Sequence, residues 1–386
     1  MKIKSLTIFN LKIPFNKKHA HDAKRWPYGE SIIVKVEDEL GNVGYGEGRP
    51  CPNLTGETVV SATQMIAYVF WPAIASFLFP SIDEFDDAFD ALEAYQKVRV
   101  FDRHPGVREW NVAWCAVEMA LVDCALRRAN LSFGEWFPPK RHILHYIGVI
   151  TAHDPAKIAE LSAERRIAGF SELRLKVTKN YHEQIAAARS VLGDDFSIIL
   201  DANGHFDFDE GLLACKKMNE QYGIQIIEDP ISRKKYRLEK FVEFCRKSSI
   251  SIMADNWLVT NKDLKLLTQE KSASVFYLKL ARCGGMYQTI KMAREAARYG
   301  VYVAIGAHVG ETGMLSIVGR HMGSVVPEIL FMSGSAGIGR LKEDIIVEDV
   351  RPGKDGLAEI SRLKGLGYSI KEDLVNELAI YKKVLG

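Results

Sequence analysis

The hydrophobic pattern of the chain changes character near residue 142. Before it, Ile3 to Ile13 and Ser31 to Glu37 read as strands, and Gly41-Asn-Val-Gly-Tyr-Gly-Glu-Gly48 reads as a hairpin turn leading into a third. From Glu57 to about Arg128 the period becomes helical, and Ala113 to Ala125 is apolar enough to predict a well-buried helix. Strands followed by helices without alternation predict an α+β unit.

After His142, short apolar runs alternate with amphipathic segments. The runs are Ile143 to Ile150, Glu172 to Lys176, Ser197 to Asp201, Ile224 to Glu228, Ser251 to Asp255, Val275 to Lys279, Tyr302 to Gly306 and Glu328 to Met332. Between them Pro155 to Ile167, His182 to Leu192 and Gln288 to Arg298 carry helical periodicity. A repeat of roughly 25 residues is the length of one strand–helix unit in a parallel barrel, and no eighth helix follows in register. The pattern predicts an α/β chain. A (β/α)7β TIM-like barrel is expected over residues 136–365 and an N-terminal α+β capping domain over 1–135, and residues 366–386 are expected to pack back on the cap, with Leu374 to Leu385 as the returning tail.

Composition narrows the partners. The 386 residues suit a barrel of about 250 residues plus one accessory domain. Lys and Arg number 51 against 49 Asp and Glu, leaving a formal charge of +2 with no basic block and no acidic tail, so neither nucleic acid nor an anionic membrane is an expected partner. Six cysteines, none in a CxxC pair, suit reduced thiols in a cytoplasmic protein and argue against structural zinc. The start alternates like a strand and lacks the apolar core of a signal peptide. The longest apolar stretch, Val69 to Pro80, is too short to span a bilayer and is expected to be a buried core segment.

The apolar runs end in ionisable residues. Lys176, Asp201, Glu228, Asp255 and Lys279 follow one another at intervals of 25, 27, 27 and 24 residues. Barrel enzymes do their chemistry at the carboxyl ends of their strands, so three acids on neighbouring strands read as a site for a divalent cation. Hard oxygen donors favour Mg2+, with Mn2+ an alternative. The second and sixth strands face each other across an eight-strand barrel, placing Lys176 and Lys279 on opposite sides of a central ligand. A lysine partly desolvated beside another cation is expected to have its pKa lowered towards the range of a general base.

At this point the chain resembles the enolase superfamily, in the muconate-lactonizing-enzyme (muconate cycloisomerase) subgroup of the mandelate racemase/muconate lactonizing enzyme family. The resemblance rests on Arg174-Leu-Lys176, Asp201-Ala-Asn203, Glu228-Asp-Pro230, Ala254-Asp-Asn256, Lys279-Leu-Ala-Arg-Cys-Gly-Gly285 and Gly310-Glu-Thr-Gly313. It implies Asp201, Glu228 and Asp255 as metal ligands and Lys176 and Lys279 as acid/base residues. The chain departs from the family pattern at four places. Arg174 stands where the first Lys of Lys-x-Lys is usual, Asn256 replaces a Glu, the eighth strand end carries no carboxylate, and His308 after strand seven lacks the strand-six Asp that mandelate racemases pair with it.

The reading is a magnesium-dependent isomerase that takes the proton α to a carboxylate, as a cycloisomerase or as a racemase or epimerase of amino-acid derivatives or dipeptides. The alternatives are a β-elimination lyase or dehydratase, an o-succinylbenzoate-synthase-like enzyme, and a barrel that binds metal and carboxylate without turnover. A small carboxylate is the expected partner, and a homo-oligomer the expected assembly. Substrate contacts are expected from Arg174, Asn203, His308, Glu311 and Ser333. Trp26 in the loop Asn16 to Gly29 joins them as part of a lid, alongside the turn-rich segment Arg49 to Glu57. Glu311 is also compatible with a first-turn helix acid.

Overall fold

The computed structural model describes residues 1–16, 27–334 and 340–386. Two sheets organise it. Strands β1 (Ile3–Pro14), β2 (Tyr28–Asp38) and β3 (Val43–Gly48) form an antiparallel meander, and β13 (Ala379–Leu385) pairs antiparallel with β1 to give the order β13-β1-β2-β3. The tail therefore returns to the cap as a strand.

The barrel strands are β4 (Ile143–Ile150), β5 (Glu172–Lys176), β6 (Ser197–Asp201), β7 (Ile226–Glu228), β8 (Ser251–Ala254), β9 (Val275–Lys279), β10 (Tyr302–Gly306) and β11 (Ile329–Ser333). They are parallel and hydrogen-bonded in chain order, and the β11–β4 pairing closes the cylinder. In place of an eighth barrel helix, β12 (Leu357–Glu359) lies antiparallel along the start of β4. Strand β8 stops one residue short of the predicted end. The Asp255 N–H goes to Asp229 Oδ1 at 3.0 Å, so a side chain takes over the bond that the ladder would have used.

In the cap, helix α1 (Asn111–Arg128) is buried along nearly its whole length against β3. The strand offers it glycine at every second position. A Cβ on Gly44, Gly46 or Gly48 would lie 2.2, 2.1 or 2.5 Å from the carbonyl oxygens of Ala120, Ala116 and Val112. Two residues of strand and one turn of helix both advance about 6 Å, so one bare face of β3 runs along successive turns of α1. The apolar segment differs from its predicted extent. A continuous helix spans Val59–Ser76, long and apolar enough to cross a membrane by length and composition, while Leu78 beyond it is exposed. Ala62, Met65, Ile66, Phe70 and Ile74 of that helix lie in the cap core. All six cysteines are free thiols.

Two buried acids join cap to barrel. Glu47 on β3 accepts from the Thr312 N–H at 2.9 Å, the Thr312 hydroxyl at 2.6 Å and the Leu315 N–H at 3.3 Å, at the start of helix α3 (Gly313–Val325). Glu118 on α1 accepts from the backbone N–H groups of Met286 and Tyr287, which open helix α2 (Met286–Arg298). Each carboxylate meets the positive end of a helix dipole and satisfies donors that have no partner within the helix. These two helices follow β9 and β10, so the cap is fastened to loops at the barrel mouth.

Candidate active site

Side-chain alternation sorts the barrel strands. The lower bore is plugged by Ile147, Ile199, Met253, Val275, Tyr277, Ala304 and Phe331. Counting by twos along each strand from these residues reaches Asp201 on β6, Lys279 on β9 and Ser333 on β11, with Arg174 and Lys176 on the matching face of β5 and Glu228 on that of β7. Lys176, Asp201 and Glu228 stand in one register row across β5, β6 and β7. Above an apolar floor, the carboxyl ends of the strands therefore carry charge.

The acids are fully or almost fully buried, and each is met by a cation. The Arg174 guanidinium bridges two of them, with Nη2 2.8 Å from Asp201 Oδ2 and 2.6 Å from Glu228 Oε1, and Nε 2.6 Å from Glu228 Oε2. Asp255 accepts from Lys279 Nζ at 2.8 Å and from Arg282 Nη1. Between the two groups lies the Tyr277 ring, with Arg174 Cζ 5.2 Å and Lys279 Nζ 4.9 Å from its centroid, a doubly cation-facing aromatic. A Cβ on Gly306 would come within 2.3 Å of that ring.

Burial and charge act on these groups in opposite senses. Burial, with Asp201 and Asp255 nearby, pushes the Glu228 carboxyl well above its ordinary range against the pull of Arg174. Burial also opposes the charge of Asp255, yet Lys279 and Arg282 hold it far below the carboxylate range. For Lys279 burial favours the neutral amine, but Asp255 prevails and the ammonium is held above its ordinary value. That corrects the expectation of a lowered lysine pKa there, because the contacting carboxylate outweighs the neighbouring cation. Lys176 differs, making no side-chain hydrogen bond or ion pair among the described residues.

The predicted substrate contacts separate. Arg174 is engaged with two acids, and Asn203, at φ 44°, donates from Nδ2 to Asp201 Oδ1 at 2.6 Å, so both hold carboxylates in place. Glu311 accepts from the His308 N–H and is not a first-turn acid, since Thr312 caps the helix. Burial, opposed by that bond, moves its carboxyl up to about 8. His308 Nε2 and Ser333 Oγ are buried with no hydrogen-bond partner among the described residues, and burial with Lys279 and Arg282 keeps the His308 imidazole neutral. Buried polar atoms of this kind are unusual unless a ligand or water completes them. Trp26 lies outside the described residues. Sequence reasoning missed Tyr277 and Arg282, although the first sits two residues before Lys279 and the second three residues after it.

Among the described residues no three His, Cys, Asp or Glu side chains are gathered into a coordination cage. The donor set still fits a hard divalent ion. Asp201, Glu228 and Asp255 are carboxylates at the ends of successive strands, burial and then the repulsion of the other two raise Glu228, and each carboxylate has about four acceptor sites, more than its present cations use.

The family model described as enolase C-terminal domain-like matches residues 157–374. Over their whole lengths, the chain and the N-succinyl-L-Arg/Lys racemase of Bacillus cereus are 23% identical, and the crystal structure of that racemase superposes with a TM-score of 0.84 over all of both chains. Muconate cycloisomerase 1 of Pseudomonas putida is 27% identical across 68% of this chain and 70% of its own. A dipeptide epimerase from Cytophaga hutchinsonii, solved with Mg and the dipeptide D-Ala-L-Val, shares the fold over all of both chains at a TM-score of 0.81 and 20% identity.

Proposed function

From the premise that this chain belongs to the enolase C-terminal domain-like family, we propose a magnesium-dependent racemase or epimerase of amino-acid derivatives that removes and returns the proton α to a carboxylate. The observation that carries this reading is the inequivalence of two lysines on strands two and six of one closed barrel. Lys176 makes no side-chain hydrogen bond or ion pair among the described residues, whereas Lys279 is paired with Asp255 at 2.8 Å. Opposite faces of an α-carbon between them are then served by an acceptor and a donor, the requirement for inversion.

The chain's own residues divide the work. Lys176 takes the α-proton from one face while Lys279 delivers one to the other, and the roles exchange in the reverse direction. Arg282, the second cation on Asp255, shares that carboxylate's charge and so limits how tightly Lys279 keeps its proton. The Tyr277 ring separates Arg174 from Lys279 and offers its negative face to both. His308 Nε2 and Ser333 Oγ, neutral and unpartnered, bind polar parts of the substrate away from the reacting carbon. A divalent ion held by Asp201, Glu228 and Asp255 would supply Lewis acidity towards the substrate carboxylate and offset the negative charge that develops as the proton leaves.

The test is deuterium exchange. With Mg2+ in D2O, N-acyl amino acids and dipeptides are followed for α-proton loss and optical purity. Exchange accompanied by racemisation is expected for a subset, and the absence of exchange with every carboxylate offered would refute the reading.

A further inference from the structure

A buried guanidinium lies across two of the proposed metal ligands. Arg174 is 8% exposed, and the acceptors it meets among the described residues are Asp201 Oδ2 at 2.8 Å and both oxygens of Glu228 at 2.6 Å. The fourth oxygen of the pair, Asp201 Oδ1, accepts from the Asn203 N–H at 3.1 Å and from Asn203 Nδ2 at 2.6 Å. Asp255 is engaged separately, by Lys279 and Arg282. Every oxygen of the three carboxylates thus has a donor from the chain itself.

A divalent ion touching both Asp201 and Glu228 has to contend with that fork. Taking the lone pairs that Arg174 uses displaces the guanidinium, and taking the spare ones sets a second cation against it on the same oxygens. Arginine cannot shed its proton to relieve either situation. The Tyr277 ring, 5.2 Å from Arg174 Cζ, offers a displaced guanidinium an aromatic face but no carboxylate. A buried cation parted from its acids is costly unless another anion takes their place, and a carboxylate matches the guanidinium with two parallel bonds.

We infer that Arg174 is a built-in competitor of the divalent ion and makes its binding interdependent with that of a carboxylate. The ion is held weakly while the guanidinium bridges Asp201 and Glu228, and more tightly once an incoming carboxylate pairs with Arg174. Because such coupling is reciprocal, the ion raises carboxylate affinity by the same factor. The inference rests on the proposed function for the ion and the carboxylate, and deepens it by making neither of them a strong ligand alone.

The experiment titrates Mg2+ into the full chain by calorimetry, in sodium acetate and in sodium chloride of equal ionic strength and pH. Acetate is a carboxylate small enough to enter without fitting any particular pocket, and it has no chiral carbon to turn over. Wild-type protein is expected to bind Mg2+ about tenfold more tightly in acetate, a size typical of coupling between two sites. Arg174→Gln is expected to bind Mg2+ in chloride about tenfold more tightly than wild type and to lose most of the acetate effect, while Arg174→Lys, which keeps the charge, retains part of it. Equal Mg2+ affinity in the two salts for the wild type, which needs no variant to fold, overturns the inference. So does an Arg174→Gln protein with an unchanged circular dichroism spectrum that binds Mg2+ in chloride no more tightly than wild type. Absence of Mg2+ binding in both salts refutes the metal reading of the site and the inference with it, whereas binding of equal strength in both refutes the inference alone.

Discussion

Replacing Glu118 by Gln tests how the cap is held to the barrel. Glu118 is fully buried, and the three groups facing its carboxylate are all donors: the Met286 N–H, the Tyr287 N–H at 3.4 Å and Gln96 Nε2. A Gln amide would turn an NH2 towards one of them, a mismatch of at most about 1–3 kcal/mol that is smaller where the protonated Glu118 also presents an O–H to the same groups or the Gln96 amide turns its unpartnered Oε1 inward. A second effect depends on pH. Burial raises the Glu118 carboxyl to about 7 against the pull of those donors, from an ordinary 4.5. The folded protein therefore holds this proton more tightly than the unfolded chain does. That contribution is complete below about pH 4.5 and is lost as pH rises to about 7, amounting to about 3 kcal/mol at 1.36 kcal/mol per unit. Urea unfolding of wild type and Glu118→Gln, followed by tryptophan fluorescence between pH 4.5 and 8, isolates it. Glu57 is raised to about 7 as well, so only the difference between the two proteins reports on Glu118. The wild-type advantage should shrink across pH 4.5 to 7 and then level. Parallel curves would refute the argument, showing that the donors hold the carboxylate charged at all these pH values.

Other outcomes follow from the same geometry. Lys176→Met and Lys279→Met should each lower kcat by about 10²–10⁴-fold while calorimetric Mg2+ affinity is largely kept, and Lys279→Met should lower the melting temperature more because it strips Asp255 of a partner. Glu228→Gln should weaken Mg2+ binding in the same titration. Gly46→Ala sets a methyl 2.1 Å from the Ala116 carbonyl and should destabilise by about 1–3 kcal/mol or more, read from the urea midpoint; an unchanged midpoint would mean that α1 moves away freely.

Much of the barrel was legible because strand patterning is local. Runs such as Ser197–Asp201 and Val275–Lys279 have the observed bounds, and a two-residue period is enough to place Asp201 and Lys279 at the bore. What escaped is decided across elements. The bridging of Asp201 and Glu228 by Arg174 joins three strands, and no spacing along the chain reveals that one arginine spans both acids. Arg282 stood inside a recognised motif, but its partner lies 27 residues earlier. The raised pKa of Lys279 was missed for the same reason, since charge alone does not show which neighbour makes contact. Gly44, Gly46 and Gly48 read as turn and strand formers, while their purpose emerges only with α1 laid against them.

The pairing of β13 with β1 has a consequence for biosynthesis. Leu6 meets Leu385, so this edge of β1 stays without its partner until the whole cylinder, which lies between the two strands in the chain, has been translated. Through that interval its free amides and carbonyls can recruit other nascent chains, which makes slow elongation or crowded expression a hazard concentrated on one sheet margin.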